Sequence, residues 1–409
     1  MGFGLKLIKP YTHALLSVIA SAVYFNPANA WELDVYGAID IGIAYNNISR
    51  NSTNELPAFG GSRIGLNSSV VDNSIFGFRG RSQLGNGWWT SFNLASQINV
   101  PTGQLAQSAL FGYESTVGLS HPKYGSFKFG RQLTISTIFF SNLDPMQYSF
   151  GQSDMGTSFG AINTQYFSNM VQYTTPNWHG VQAGIGYSFN TGDTAVYANG
   201  PKPDAVSQGN LYSTTNQLRA LSLAAQYKKG PLLALASYDT AFGSTAVTSG
   251  SNPVDYLPNR NLSNPQAWYV GLAYTAGKVV LAGAWGRSIN GALSGSVPGD
   301  GSRSTPLFVL TGDANILFSR GFNFDSYMLG ATWNISPDTQ LMSSWQMMKP
   351  NSDLPGIVNS GPQQIISAAM LHYITPKTSI YAYASYGINF QMFRGATSTV
   401  IGSGIQTVF

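Results

Sequence analysis

The fold is decided by VGLSHPKYGSFKFGRQL, Val117 to Leu133, together with the long irregular stretch that follows it. The segment predicts two strands joined by a tight turn at Pro122 to Gly125, because proline fixes φ and glycine permits a positive φ. Regular alternation then returns only at about Asn169. A connection of this length is far too long for a hairpin and is usually either functional or disordered. Its aromatic residues argue against disorder, so we expect it to fold into a barrel and narrow it.

The composition indicates a chain with unusually few charges. Of the 409 residues, 9% are charged and 13% are aromatic, and there are 45 glycines and no cysteine. Ordinary soluble domains carry about 25% charged residues. The formal net charge of +4 is a small imbalance without the clustered basic face that nucleic acid requires. The lack of cysteine excludes disulfides and thiolate metal sites.

The N-terminal segment has the three parts of a secretory signal. A basic, acid-free start precedes an apolar run from Ala14 to Phe25 and the small-residue pattern Ala28-Asn29-Ala30. We expect cleavage after Ala30, which divides the chain into a signal peptide, 1–30, and one barrel domain, 31–409. The alternative, a transmembrane anchor, fails because the apolar run is shorter than the roughly twenty residues that span a bilayer.

The first segment of that domain alternates with period two. From Glu32 to Asn46, one face is mostly aliphatic and the other carries Asp34, Tyr36 and Asp40. Such alternation indicates one apolar and one wet face. The segment is longer than a usual globular strand, but it suits a tilted strand that crosses about 25 Å of hydrocarbon. Elsewhere the wet face is mostly glycine and small polar residues, which indicates a water-filled lumen.

Tight turns and longer irregular segments alternate along the chain. The turns lie at 84–87, 122–125, 176–180, 228–231, 275–278, 336–339 and 375–378, and the longer segments at about 47–72, 98–107, 135–168, 191–216, 240–265, 289–320, 349–362 and 389–400. Seven turns and eight loops predict sixteen strands. We therefore expect an all-β protein, a transmembrane 16-stranded antiparallel β-barrel with long extracellular loops and an aqueous channel.

Two motifs resemble the general porins of Gram-negative outer membranes. Gly125 to Gln132, GSFKFGRQ, matches the motif G-S-x-x-x-G-R-[NQ], which closes the fifth strand in that family. Ser74 to Gly87 matches a second family signature more loosely. The resemblance implies a third loop folded into the lumen and a channel for passive diffusion of small hydrophilic solutes and ions. It implies no cofactor.

The resemblance also implies a location and partners. A porin of this kind lies in outer-membrane lipid as a homotrimer, with its second loop reaching a neighbouring subunit. The chain ends in Phe409, which is similar to the C-terminal signal read by the outer-membrane assembly machinery. Thr407 stands where that signal usually has an aromatic residue.

Charges in the narrow part of the lumen are the candidates for ion selectivity, because fields act strongly across a small gap. Alternation places Arg79 and Arg81 on the lumen face, with a solvated position near the rim as the alternative reading. Simple alternation would point Arg131 toward lipid, an expensive place for a charge. A bulge at Gly130 would turn it inward, as the resemblance implies.

We nevertheless expect a weak electric field across the lumen. This chain has only part of the basic wall and part of the acidic loop that are typical of the family. Tyr113 and Ile75 stand where the family commonly has wall arginines, and Ala38 where some members have a lysine. The candidate pore residues are Arg79, Arg81, Lys128 and Arg131 against Asp144 and Asp154, with Asp40 and Tyr113 on the lumen and Met146, Tyr148 and Phe150 lining the third loop. Such a lining would favour less polar solutes, as in a substrate-preferring porin, unless it packs the loop onto the wall.

Two other classes of barrel remain as alternatives. An outer-membrane hydrolase needs a catalytic base, but His121, His179 and His372 lie in or beside tight turns, away from the outer leaflet. They are also too scattered for a metal site, so no catalytic or metal-binding residue is predicted. An adhesive or structural barrel with a plugged lumen would need bulky inward side chains, and the predicted inner face lacks them.

Overall fold

The computed structural model describes residues 31–50, 59–107, 109–162, 166–192, 194–197, 217–243, 263–293, 314–353 and 360–409. The expected signal segment, 1–30, lies outside these residues, as do parts of the expected long loops. No helix within the described ranges is long and apolar enough to cross a membrane.

The described chain is mostly β-structure. The strands are β1 Glu32–Arg50, β2 Phe59–Ser68, β3 Ile75–Gly85, β4 Trp88–Asn99, β5 Gln104–Leu105, β6 Glu114–His121, β7 Gly125–Leu133, β8 Tyr166–Thr174, β9 Val181–Ser188, β10 Thr194–Tyr197, β11 Arg219–Lys229, β12 Leu232–Phe242, β13 Gln266–Ala276, β14 Val279–Ile289, β15 Gly291–Leu293, β16 Ala314–Phe318, β17 Phe324–Ser336, β18 Thr339–Pro350, β19 Gln363–Thr375, β20 Thr378–Ile388 and β21 Thr397–Val408. One short helix, α1, spans Ile135–Phe140, and 3-10 turns span Gly151–Ser153, Met155–Thr157, Gly160–Ile162 and Phe390–Met392.

These strands close into an antiparallel barrel of sixteen positions, as predicted. β2 and β3 follow each other along one position, because β1 pairs with β3 over its first part and with β2 over its second. β21 pairs with the other edge of β1 and completes the ring. The short strands β5, β10, β15 and β16 lie outside the ring. All seven expected tight turns join consecutive barrel strands.

Part of the first expected irregular segment is regular strand, which is a correction. β1 continues to Arg50 and β2 runs from Phe59 to Ser68, with continuous pairing between them. The glycine-rich start of β2 weakens its alternation, so the sequence pattern did not indicate a strand. Cross-strand bonding to β1 supplies what the pattern lacks, since a strand is stabilised by its neighbour more than by intrinsic preference.

The two faces of the barrel differ as the alternation requires. On β1, Leu33 and Val35 are 71% and 61% exposed on the outer face, whereas Asp40 is fully buried on the inner face. The Trp89 ring of β4 lies under the Arg81 guanidinium at 5.1 Å, so Trp89 belongs to the inner face.

The expected bulge near the end of β7 is present. The register between β7 and β8 shifts between Gly130 and Gln132, and Gly130 has φ +127°. A Cβ at Gly130 would lie 2.0 Å from the carbonyl oxygen of Ser115 on β6. Only glycine fits this position, because both the backbone conformation and the space exclude a side chain.

We predict that Gly130→Ala destabilises the barrel by more than about 1 kcal/mol, since strained backbone positions cost about 1–3 kcal/mol each. Urea unfolding of the refolded protein measures this. Gly61→Ala is the matched control, because a Cβ there meets nothing within 4 Å. Equal unfolding midpoints for the two variants would contradict the prediction.

Candidate pore constriction

The third loop begins with a helix seated on the inner wall. Thr134 caps α1, and its side chain accepts a hydrogen bond from the Thr137 amide. Behind the helix, Ser136 Oγ lies 3.0 Å from Ser222 Oγ on β11. The wall makes room for the loop with glycine, because a Cβ at Gly184 on β9 would lie 2.4 Å from Ile135. Local capping and a missing Cβ thus fix where the loop enters the lumen.

The loop then crosses to the opposite wall. The Phe150 ring packs against Tyr381 and Tyr383 of β20, with ring centroids 6.0 Å and 5.4 Å apart. The Gln152 side chain donates to Ser385 on β20 at 2.8 Å and accepts from Ser398 on β21 at 2.6 Å. The loop therefore reaches strands distant from those where it began.

On its way back the loop is held by wall amides and a tyrosine. Gln346 Nε2 on β18 donates to the carbonyl oxygens of Ser153 and Asp154 at 2.9 Å and 3.1 Å. Gln363 Nε2 on β19 donates to Thr157 O at 3.3 Å. Tyr269 of β13 accepts from the Ala161 amide at 3.4 Å. We call residues 135–162 the shelf, since they line the inner wall from β9 to β21.

A short insertion between β2 and β3, residues 69–74, meets the tip of the shelf. The Phe150 amide donates to Val70 O at 2.6 Å. The insertion is itself held by Asp40 of β1, whose Oδ2 accepts from the amides of Val71 at 2.5 Å and Asp72 at 3.0 Å. The other oxygen of Asp40 accepts from Tyr381 Oη at 2.6 Å. Asp40, a candidate lumen residue, is therefore buried at a junction of β1, β20 and the insertion.

The two acids of the loop are also buried. Asp144 accepts from the amides of Met146, Tyr148 and Met155 at 3.0, 2.9 and 3.1 Å. Asp154 caps the next 3-10 turn by accepting from Gly156 N at 2.7 Å. Burial raises the pKa of Asp144 to about 6 and the pKa of Asp154 well above its ordinary range. Both carboxyls organise the loop's own backbone.

The expected apolar loop residues are mostly turned away from the lumen water. Met146 and Phe150 are buried, Tyr148 is half-buried, and the nearby Met155 is also buried. The exposed positions of the shelf are the polar residues Ser141, Asn142 and Gln147. The free margin of the shelf is therefore polar and uncharged, because the loop aromatics and methionines pack it to the wall.

Among the described strands, the inner face is buried behind the shelf and exposed on the side opposite it. Behind the shelf, Tyr269 is 1% exposed and Gln346 is fully buried. Opposite it, the side chains of Arg79 and Arg81 are 57% and 62% exposed. We call the inner face of β1, β3, β4, β6 and β7 the open wall. The lumen passes between the open wall and the shelf.

Three basic side chains on the open wall form ion pairs with acids on neighbouring strands. Arg79 Nη2 on β3 lies 2.6 Å from Asp34 Oδ2 on β1, and Arg81 Nε lies 2.6 Å from Glu32 Oε2. Lys128 Nζ on β7 lies 2.9 Å from Glu114 Oε1 on β6. Each of these basic groups therefore has an acidic neighbour on the same wall.

Hydrogen bonds and a cation–π contact connect the Asp34–Arg79 pair to the Glu114–Lys128 pair. Tyr36 Oη donates to Asn93 Oδ1 at 2.6 Å, and Asn93 Nδ2 donates to Glu114 Oε2 at 2.8 Å. The Arg79 guanidinium also stacks on the Tyr36 ring, 4.7 Å from its centroid. The charged groups are thus held in place by neutral polar and aromatic side chains, as expected for groups that must keep one orientation.

Arg131 and Tyr113 lie at the loop-side ends of the strands. Arg131 Nε donates to Gly112 O at 2.7 Å, and Nη1 donates to Tyr166 O and Ser168 Oγ, both at 3.0 Å. Tyr113 packs against Tyr166 in a tilted arrangement, with ring centroids 4.7 Å apart. Arg131 therefore ties the start of β6 to the start of β8.

Sequence reasoning missed the acidic halves of the ion pairs, Glu32, Asp34 and Glu114. The signal for two of them was present, since Glu32 and Asp34 share a face of β1 with the candidate residue Asp40. The pairing register places Asp34 opposite Arg79 and Glu32 opposite Arg81. Knowledge of the pairing register between β1 and β3 would have identified both ion pairs.

The described histidines lie outside the constriction. His121 ends β6 beside a tight turn, His179 lies in a tight turn, and His372 pairs across strands with Thr339 at 2.9 Å. Within the described part of the chain, no three potential metal-ligating side chains come together.

Comparison with known proteins agrees with this architecture. Residues 14–389 match the family model described as Gram-negative porin. The chain is 33% identical to an outer membrane porin protein of Bordetella pertussis over 388 residues, covering 92% of this chain and 94% of the relative. It is 29% identical to outer membrane porin protein 32 of Delftia acidovorans over 225 residues, covering 52% of this chain and 56% of the relative.

Solved structures share the fold. An anion-selective porin from Comamonas acidovorans superposes with a TM-score of 0.64 at 20% identity, covering 93% of this chain and all of that one. OmpF of Salmonella typhi superposes with a TM-score of 0.58 at 15% identity, covering 95% of this chain and all of that one. The chain belongs to the Gram-negative porin family. It is an outer-membrane β-barrel that forms a channel for small solutes.

We predict that Asp144→Ala loosens the shelf. The substitution leaves three buried amides without their acceptor, at a cost of about 1–3 kcal/mol for each unsatisfied group. Single-channel recording should show a noisier open state than the wild type. Ser141→Ala is the control, because Ser141 is exposed at the margin of the shelf. A quiet Asp144→Ala channel would contradict this role.

The pH dependence of the shelf should follow the raised pKa of Asp144. A raised pKa in the folded state means that the proton is bound more tightly there than in the released loop. The stabilisation of the shelf by Asp144 is complete below about pH 4 and is lost as pH rises through about 6. We expect less open-channel noise at pH 5 than at pH 8, measured by single-channel recording, and a smaller difference in Asp144→Ala.

Proposed function

We propose that the channel passes small hydrophilic solutes and ions by passive diffusion, with the shelf setting the size limit. One observation carries this proposal: the inner face is buried behind the shelf but exposed along the open wall. A plugged barrel would bury both sides. The shelf's contacts with β11, β13, β18 and β20 support a fixed opening.

We further propose that ion selectivity is weak. Oppositely charged groups less than 3 Å apart largely cancel at the distance of a passing ion, because their fields are opposite and water screens the remainder. Asp144 and Asp154 add little to a field across the lumen, since both are buried within the shelf. The Comamonas acidovorans porin is anion-selective, and we propose weaker anion preference here.

Assembly as a homotrimer is part of the proposal. β2 pairs with β1 alone among the described strands, and Ile64 and Leu66 on it are 71% and 57% exposed. An uncovered strand edge is unfavourable at membrane depth, because its backbone groups have no water to bind. A second copy covering this edge would satisfy them, and the family resemblance favours three copies.

Export and insertion complete the proposal. We propose cleavage of the signal peptide after Ala30, since β1 begins two positions later at Glu32. We also propose that Phe409 is read by the assembly machinery. Its ring lies over Gly37 and is 53% exposed, and its backbone bonds to Gly37 in both directions.

The Glu114–Lys128 pair offers a test of the weak field. Glu114→Gln leaves Lys128 without its partner, so the permeability ratio should shift toward anions by about twofold to fourfold. Lys128→Gln should shift it toward cations. Reversal potentials under a salt gradient measure both changes.

The matched control for this test is Arg287→Gln. Arg287 pairs with Asp325 at 3.7 Å and shares the outer face of β14 with the exposed Trp285. Its loss should leave the reversal potential unchanged. A strongly charge-selective wild type would contradict weak selectivity, and a folded wild type that inserts without conductance would contradict the channel itself.

A further inference from the structure

The two ion pairs nearest the tight-turn end form parallel rows of opposite charge. Glu32 and Asp34 are two residues apart on β1, and Arg81 and Arg79 stand directly opposite them on β3. Alternate residues of a strand are about 7 Å apart, and neighbouring strands lie about 5 Å apart. The open wall thus carries an acidic row beside a basic row.

Both rows are accessible to a solute in the lumen. The four side chains are between 53% and 62% exposed. Both hydrogen bonds from Arg79 go to a single oxygen of Asp34, Oδ2. The carboxylate therefore keeps its second oxygen for another donor, and the guanidinium, with five N–H donors, keeps capacity for another acceptor.

The basic row is held in place independently of the acids. Arg79 stacks on Tyr36 at 4.7 Å, and Arg81 stacks on Trp89 at 5.1 Å. An arginine supported by an aromatic ring keeps its position when its carboxylate partner is exchanged. Because exposed ion pairs contribute little stability, replacing one partner by a charged group of a solute is nearly neutral in free energy.

We propose that these rows select zwitterionic solutes, amino acids and short peptides, over uncharged solutes of equal size. The ammonium of the solute lies on the acidic row of Glu32 and Asp34, and its carboxylate lies on the basic row of Arg81 and Arg79. The solute advances along the wall by exchanging one pair for the next. A simple ion gains less binding free energy, because the attraction of one row is offset by the repulsion of the other. The inference rests on the proposed channel function and names its solute class.

Liposome swelling with wild-type protein tests the inference, with glycylglycine as the zwitterion and N-acetylglycinamide as the uncharged probe. We expect the zwitterion to enter faster by about threefold, the size of a weak exposed contact. In the neutral variant, Glu32→Gln, Asp34→Asn, Arg79→Gln and Arg81→Gln together, the ratio should fall to about one.

A swap of one pair sharpens the test. Asp34→Arg with Arg79→Asp keeps the composition and net charge but breaks both rows, so the ratio should fall. Adding Glu32→Arg and Arg81→Glu restores two continuous rows in exchanged positions, so the ratio should recover. Neutralising the outer pair, Arg287→Gln with Asp325→Asn, should leave the ratio unchanged.

The possible results distinguish the zwitterion preference from the channel function on which it rests. A wild-type ratio near one, or an unchanged ratio in the neutral and single-swap variants, would overturn the zwitterion preference while the channel stands. Single-channel conductance checks that each variant still forms a pore. Silent wild-type bilayers would overturn the channel function itself.

Discussion

The structure depends on one constraint: within hydrocarbon, every backbone N–H and C=O must be bonded inside the protein. A sheet satisfies this only by closing, and β1 is where it closes. One edge of β1 pairs with β21, while the other pairs with β3 and then with β2. The same strand supplies Glu32 and Asp34 to the open wall and Asp40 to the junction beneath the shelf. Closure and the layout of the lumen are therefore fixed by one segment.

Closure creates an interior that would be uniformly hydrated without the third loop. The shelf divides this interior. Side chains that anchor the shelf are polar, such as Gln346, Gln363 and Ser222, because the loop presents backbone groups that need partners. Between these anchors, Phe140 and Phe159 pack around Tyr269. The shelf is held by specific hydrogen bonds and by a small apolar core, and both lie on the same side of the lumen.

Much of the barrel was predictable because its signals are local. Alternation on β1, the tight turns and the glycine at Gly130 each depend on a few adjacent residues, and together they gave the strand number and the bulge. The burial of Asp144 and Asp154 was not predictable in this way, since it follows from how the loop folds onto the wall. The ion pairs were predictable only in part. Alternation alone identified Arg79 and Arg81 as inward, whereas their acidic partners depend on the register between β1 and β3, which are separated by β2 and an insertion.

The open wall and the supports of the shelf come from different parts of the chain. The wall's charged pairs lie between Glu32 and Lys128, whereas most supports of the loop lie on strands that follow it, from β9 onward, and its tip also meets the insertion at residues 69–74. Selectivity and most of the support of the aperture are consequently encoded in different parts of the chain. Recombination within the family near residue 134 could transfer one chemistry of permeation onto another pore width. A lineage could thus diversify its nutrients without re-evolving the support of its constriction.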